Sequence, residues 1–206
     1  MKAGLATTED FNEYEKHGVI CPYNSKAMAM FPRKVNDRIA IIFTLYPDYP
    51  PSKIAIAYFD SIKELLNPTK EYWREWMKYP EFQENIVMEA IPPRKYVEVG
   101  SPPIETDEGW LLIMPDITPE GVFNITAAML DLEYPNKVIA KLKRPLLIPL
   151  AEYEREGNVP NVAFPTGALE KDGEIYIYYG AADKYIALGF IDKEKLVKYL
   201  MKEGRI

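Results

Sequence analysis

One cysteine, one histidine and no apolar run approaching the ~20 residues of a membrane span set the first limits on this 206-residue chain. The lone Cys21 excludes an intrachain disulfide and fits a reducing compartment, so a cytoplasmic location is expected. It stands beside Pro22 in a loop and reads as an idle thiol rather than a nucleophile. His17 lies in Lys16-His17-Gly18, read as a turn. Without a second histidine or a cysteine cluster, the donors of a zinc site and of a Ser-His-Asp relay are lacking. The N-terminus shows neither the basic nor the apolar region of a signal peptide. Basic clusters are lacking too: net charge is −6 and the pI about 5.1. The densest run, Lys141-Leu142-Lys143-Arg144, reads as a solvated turn. Neither a membrane nor a nucleic acid is therefore an expected partner. Chemistry in this chain must rest on carboxylates, Lys, Arg and Tyr.

What the chain does hold is 48% apolar residues, 15 tyrosines and 18 prolines, with short apolar runs between turn signals. That pattern favours an all-β fold. No Gly/Ser-rich linker interrupts it, so residues 1–206 read as one domain. Three stretches repeat one another. Phe31-Pro32 leads through Asp37-Arg38 and Ile39–Phe43 to Ile54–Asp60. Pro102-Pro103 leads through Glu108-Gly109 and Trp110–Ile113 to Ile125–Asp131, and Phe164-Pro165 leads through Asp172-Gly173 and Ile175–Tyr179 to Ile186–Asp192. Proline and closing aspartate lie 28, 28 and 27 residues apart (Pro32 to Asp60, Pro103 to Asp131, Pro165 to Asp192). Antiparallel units at this spacing mark a propeller or related radial array, with Asp-Gly the strongest of the hairpin turns.

Ala3–Asp10 reads as the last strand of a fourth unit, so an incomplete arc of about three to four blades is expected, short of a closed ring. An open arc exposes strand edges, which predicts self-association. Short helices are expected over 61–66 and 69–78, with Trp73 and Trp76 on one face as a packing anchor. A C-terminal helix should follow an Asp192 N-cap, stop at Gly204 and lie outside the last unit. Residues 79–96 and 142–163 read as ordered connections, Glu152, Glu154 and Glu156 as a solvated acidic loop, and Asp60, Asp131 and Asp192 as caps or turn formers.

Several longer phrases carry a family resemblance: Gly100–Leu112, Leu130-Asp131-Leu132, Tyr153–Pro165 and Tyr178–Asp183. In their order they resemble glycoside hydrolase family 130, the β-mannoside phosphorylases and related β-mannosidases. The resemblance implies a five-bladed β-propeller with a mannosyl site on one face of its axis. It also implies an inverting transfer of mannose to phosphate or to water. Phosphate is then a co-substrate, and no other cofactor is expected. Family members carry their general acid in a Glu-Asp-Pro-Arg motif within about a hundred further N-terminal residues. That tetrapeptide does not occur in residues 1–206. Inversion needs an acid to protonate the leaving oxygen, so the expectation is a chain that is inactive alone or dependent on a separate N-terminal half. A non-catalytic carbohydrate-binding or assembly module is the alternative.

The resemblance also nominates residues. The family's Asn-Lys-Asp-Ala-Val-Leu-Phe-Pro corresponds to Ser25–Pro32, which nominates Lys26 for phosphate. The family's other phosphate donors are replaced near Thr44–Pro47 and at Met114-Pro115-Asp116, which weakens an anion site built from convergent donors. Asp183, in the small-residue loop Gly180-Ala181-Ala182-Asp183, is nominated to contact sugar, against a plain turn role. Phe164 and Tyr179 are nominated to stack on a sugar ring, against ordinary packing in a β core.

Overall fold

The computed structural model describes residues 1–206 as four antiparallel sheets with few helices. β1 (Gly4–Thr7) and β2 (Glu15–Val19) form a separate hairpin. The first sheet runs β3 (Ser25–Met30), β4 (Ile39–Leu45), β5 (Lys53–Phe59), β6 (Ile86–Glu89). The second runs β7 (Ile104–Thr106), β8 (Gly109–Ile117), β9 (Phe123–Leu130), β10 (Val138–Lys141). The third holds β11 (Ala163–Lys171), β12 (Glu174–Ala181) and β13 (Tyr185–Asp192). Within each sheet, strands adjacent in sequence are adjacent in space. Helices α1 (Ile62–Leu66), α2 (Lys70–Trp76) and α3 (Glu81–Glu84) lie between β5 and β6. α4 (Glu152–Arg155) precedes β11, and α5 (Lys193–Glu203) ends the chain. No helix is long and apolar enough to cross a membrane.

Turn chemistry sets the hairpins. Asn36 and Asp37 (φ 50 and 62) and Asp172 and Gly173 (φ 54 and 81) take the paired left-handed conformation that tight two-residue hairpins need. Two turn expectations shift by one residue: the turn read at Asp37-Arg38 falls at Asn36-Asp37, with Arg38 bridged to Val35, and that read at Glu108-Gly109 falls at Asp107-Glu108, with Gly109 opening β8. Gly109 sits at φ 147, and a Cβ there would fall 2.2 Å from the Leu130 carbonyl oxygen. Glycine is demanded by that close approach as much as by the turn.

Strand alternation sends neighbouring residues into different apolar layers. Ala40, Ile42, Ile54 and Ile56 of the first sheet meet Trp110, Leu112, Met114 and Leu130 of the second. The other face of the second sheet, with Leu111, Ile113, Ala127 and Met129, meets Ile175, Ile177 and Ala181 of the third. The remaining face of the first sheet (Ile41, Phe43, Ala57, Phe59) is covered by Trp73 and Trp76 of α2, with Ile20 and Cys21. Each large aliphatic buried this way contributes about 1.5–3 kcal/mol.

Several expectations are corrected here. Ala3–Asp10 does not add a strand to a larger sheet; β1 pairs only with β2. His17 is a strand residue of β2, its Nε2 2.7 Å from Thr7 Oγ1, rather than a turn residue. Residues 79–96 supply α3 and the fourth strand of the first sheet. Asp60 caps nothing; Ser61 caps α1, and Asp60 only donates its N–H to Glu64. Asp131 and Asp192 do act as expected, accepting from Glu133 and Tyr134 and from Lys195. α5 is not confined to the last unit. Leu196 and Leu200 pack in the layer shared by the second and third sheets, and the Gly204 carbonyl accepts from Lys141.

Two predictions arise from this core. Burial pushes the Cys21 thiol up, so thiol reagents should leave it unmodified until the chain is denatured, with one equivalent reacting afterwards. Tyr58 is pushed up to about 12, mainly by burial, and Tyr72 is raised for the same reason. At pH values between about 10 and 12 the unfolded tyrosines ionise while the folded ones keep their protons. The folded state then binds more protons, and stability falls as pH rises. Tyr58 alone should forfeit roughly 2–3 kcal/mol across that window. Absorbance near 295 nm should show these tyrosines ionising late and together with unfolding.

Candidate functional site

Lys26 lies on β3 beside a bulge between Lys26 and Ala29, where Ala27 takes φ 47. Its ammonium is 2.9 Å from Oε2 of Glu98, whose side chain is only 4% exposed. The approach is off the hydrogen-bonding direction, so Glu98 Oε2 has an ion partner and no well-directed donor. Burying a carboxylate costs several kcal/mol unless a cation stands beside it, and Lys26 is that cation. The segment holding Glu98 is pinned at several points. Val97 exchanges hydrogen bonds with Ser52 Oγ (2.8 Å), Val99 N–H donates to Thr44 Oγ1 (3.0 Å), and Ser101 N–H donates to the Ile113 carbonyl (3.0 Å). Between them, Gly100 threads a gap that admits no side chain. A Cβ there would stand 2.4 Å from Ile113 O and 2.9 Å from the Pro165 ring. This segment thus links Lys26 on the first sheet to β11 on the third.

The other three nominated residues share the third sheet. Phe164 on β11 pairs with Gly180, is half-buried, and holds its ring 6.2 Å from that of Phe123. Tyr179 pairs with Pro165 but lies in the core, 3% exposed, its O–H donating to Glu154 Oε1 at 2.7 Å. Burial first, then the bond to Glu154, raises its pKa far above the usual tyrosine range. Its ring has no open face on which a sugar could stack. Asp183 sits in the β12–β13 turn at φ 55, its side chain exposed and its carbonyl accepting from Asn158 Nδ2 at 2.9 Å. Gly157 lets the neighbouring loop close on this turn, since a Cβ there would meet Ala182 O at 2.3 Å. An open cleft of about 550 Å³ lies alongside, lined by Tyr153, Asn158, Lys184 and Tyr185 among others. Aromatic faces, an amide and charged groups in a cleft of this size suit a small polar ligand. No hydrogen bond, ion pair or ring contact joins Lys26 to this cleft.

Two buried acids escaped the sequence reading. Glu154 is no part of a solvated loop. It is 4% exposed, accepts from the Leu150 and Ala151 N–H groups at 2.8 and 2.9 Å, and holds Tyr179. Glu98 carried one faint signal, a lone acid between Val97 and Val99 where the flanking side chains read as buried.

Comparison with known proteins accords with this architecture. A family model described as β-1,4-mannooligosaccharide phosphorylase, glycoside hydrolase family 130, matches residues 1–203. A 1,2-β-oligomannan phosphorylase of Thermoanaerobacter sp. (strain X514) is 33% identical over 93% of this chain and 59% of its own length. A β-1,4-mannooligosaccharide phosphorylase of Ruminococcus albus is 30% identical over 98% of this chain and 58% of its own. The solved β-1,2-mannobiose phosphorylase of Listeria innocua, in complex with β-1,2-mannobiose, superposes with a TM-score of 0.83 at 27% identity, over 98% of this chain and 54% of that one. The chain spans less than two thirds of each of these relatives. By motif order, family model and superposition together, it belongs to glycoside hydrolase family 130.

Proposed function

We propose that residues 1–206 form part of a five-bladed β-propeller that binds the mannosyl end of a β-linked manno-oligosaccharide, with Asp183 and the half-buried Phe164 as its sugar contacts. Membership of a family whose characterised relatives are mannoside phosphorylases supports the substrate class. The cleft beside Asp183 supports the location. Turnover needs a carboxylic acid to protonate the leaving oxygen. In this reading that acid comes from polypeptide outside residues 1–206, and the chain by itself binds without turning over. A cytoplasmic setting fits the lone, buried thiol.

The observation that shapes the reaction is the ion pair between Lys26 and Glu98. A phosphate dianion approaching Lys26 would meet a carboxylate already 2.9 Å from the ammonium. A carboxylate held beside the ammonium opposes a second anion in a partly dry site. The proposed acceptor is therefore water, with phosphorolysis suppressed. Calorimetric titration with inorganic phosphate should give no saturable heat in the wild type. A saturable phosphate signal that Lys26→Ala abolishes would return Lys26 to the phosphate site.

The enzymatic reading is tested by incubating β-1,2- and β-1,4-mannobiose with the chain. Each is run with and without phosphate, and with and without a polypeptide carrying the Glu-Asp-Pro-Arg segment. Release of mannose only when that polypeptide is present supports the proposal. Saturable binding with no turnover in any combination favours the carbohydrate-binding module instead.

A further inference from the structure

Between the first and second sheets, at the edge formed by β6 and β10, an open groove of about 670 Å³ runs beside Lys141. Its walls belong to two four-stranded sheets that already pack on each other, so both walls are supplied by this chain. Further units of a radial array stack on sheet faces, whereas this groove opens along a sheet edge. Lys26 stands on β3, the opposite edge of the first sheet. The groove shares no lining residue with the cleft beside Asp183.

The walls are apolar. Met88, Ala90 and Val97 come from the first-sheet side, and Met114, Val138 and Ile206 from the second. Ala90, Val97 and Met114 belong to the buried layer between the sheets, which forms the floor. Four charged side chains line the groove, and three of them are paired. Glu89 is ion-paired with Lys53. Asp116 Oδ1 lies 2.7 Å from Nη1 of Arg94, and that same nitrogen donates to the Ile117 carbonyl at 2.6 Å. Lys141 is left over. Read from sequence as part of a solvated turn, it is instead a half-buried residue of β10, its backbone N–H fixed to the Gly204 carbonyl at 2.8 Å. Its ammonium has neither an ion pair nor a hydrogen bond within the chain. Burial lowers its pKa, while the charges of Asp116 and Arg94 act on it in opposite directions. A charge partly taken from water without a counter-ion is costly, and an anion placed beside it would offset that cost.

We infer that this groove binds an alkyl monocarboxylate, its carboxylate on the Lys141 ammonium and its hydrocarbon chain against the apolar walls. One uncompensated cation balances one negative charge. A phosphate, at about −1.5 to −2 near neutral pH, would bring surplus charge toward Glu89 and Asp116. The groove falls within the roughly 300–1,000 Å³ of small-molecule sites, where apolar walls supply contact and a few placed polar groups fix orientation. Binding here is independent of the sugar site and of the reaction.

The test is calorimetric titration of sodium butanoate, hexanoate and octanoate into the full chain, and of hexanoate into Lys141→Met, Lys141→Arg and Ile91→Asp. Ile91 lines the groove and is 76% exposed, so an acid there should leave near-ultraviolet circular dichroism unchanged. The wild type should show one saturable site that tightens about fourfold with each added methylene. Lys141→Met keeps the length of the side chain, loses the charge, and should weaken hexanoate at least tenfold. Ile91→Asp should weaken it through like charge, and Lys141→Arg should bind within a few fold of wild type. Inorganic phosphate at the same concentrations should give no saturable heat. No saturable heat with hexanoate in the wild type would overturn the inference. Equal affinity in wild type, Lys141→Met and Ile91→Asp would overturn it too, because the carboxylate would then sit elsewhere. So would an affinity that does not change with chain length.

Discussion

Replacing Trp73 by alanine should lower the unfolding free energy by about 3–5 kcal/mol. Trp73 is 3% exposed and touches aromatic rings on several sides, with centroids 5.2–6.2 Å from those of Tyr23, Phe43, Phe59, Tyr72 and Trp76. Its indole N–H donates to the Ile20 carbonyl at 3.0 Å, which alanine would leave without a partner at roughly 1–3 kcal/mol. The consequence reaches beyond one cavity, because α2 is what covers the outer face of the first sheet. With the anchor gone, Phe43 and Phe59 lose their cover and the helix loses its reason to dock. Thermal unfolding should show a drop in midpoint on the order of 10 °C. Urea titration should show a lower midpoint with little change in slope. Trp73→Phe should recover most of the packing and none of the hydrogen bond, which separates the two contributions.

Glu154→Ala is expected to cost about 3–5 kcal/mol for a different reason. The carboxylate, itself 4% exposed, satisfies the buried Tyr179 hydroxyl and two part-buried backbone N–H groups. Alanine removes the partner of all three donors, and the buried hydroxyl left unpaired is costlier than a lost contact. The effect should appear locally first. The loop carrying α4 packs on the β12–β13 turn through Gly157 and Asn158, so its release should move Asp183. Glu154→Gln keeps an acceptor for Tyr179 and should retain about half the stability that alanine loses. Measuring urea midpoints for the two variants together with hydrogen exchange of Leu150 and Ala151 would check this. Equal losses in both variants, or no change at those amides, would contradict the assigned role.

The repeat was legible because its cause is local. Hairpin turns at Asp37 and Asp172 need left-handed residues, and strands packed on both faces need unbroken apolar runs, so each leaves a mark in consecutive residues. The Asp192 cap was legible on the same ground, whereas the caps Ser61 and Thr69 were read only as the first residues of their helices. What could not be read is non-local. β1 and β2 look like one long strand and its loop until the hairpin between them closes. The partnership of Lys26 with Glu98, 72 positions away, leaves no trace in either neighbourhood. Glu154 sits among other acids that are exposed, and only the Tyr179 hydroxyl distinguishes it. Tyr179 in turn resembles a sugar platform by motif, yet strand alternation turns it into the core while Tyr178 faces outward. On the third sheet, then, the sequence located the strands but not which side chains turn into the core.

The most direct test of the central claim is calorimetric titration of β-1,2-mannobiose into the chain and into its Asp183→Ala variant. The account expects one saturable site in the wild type, weakened at least tenfold by the substitution, with circular dichroism unchanged. No saturable heat in the wild type, or equal affinity in both proteins, would contradict a sugar site at the turn between β12 and β13.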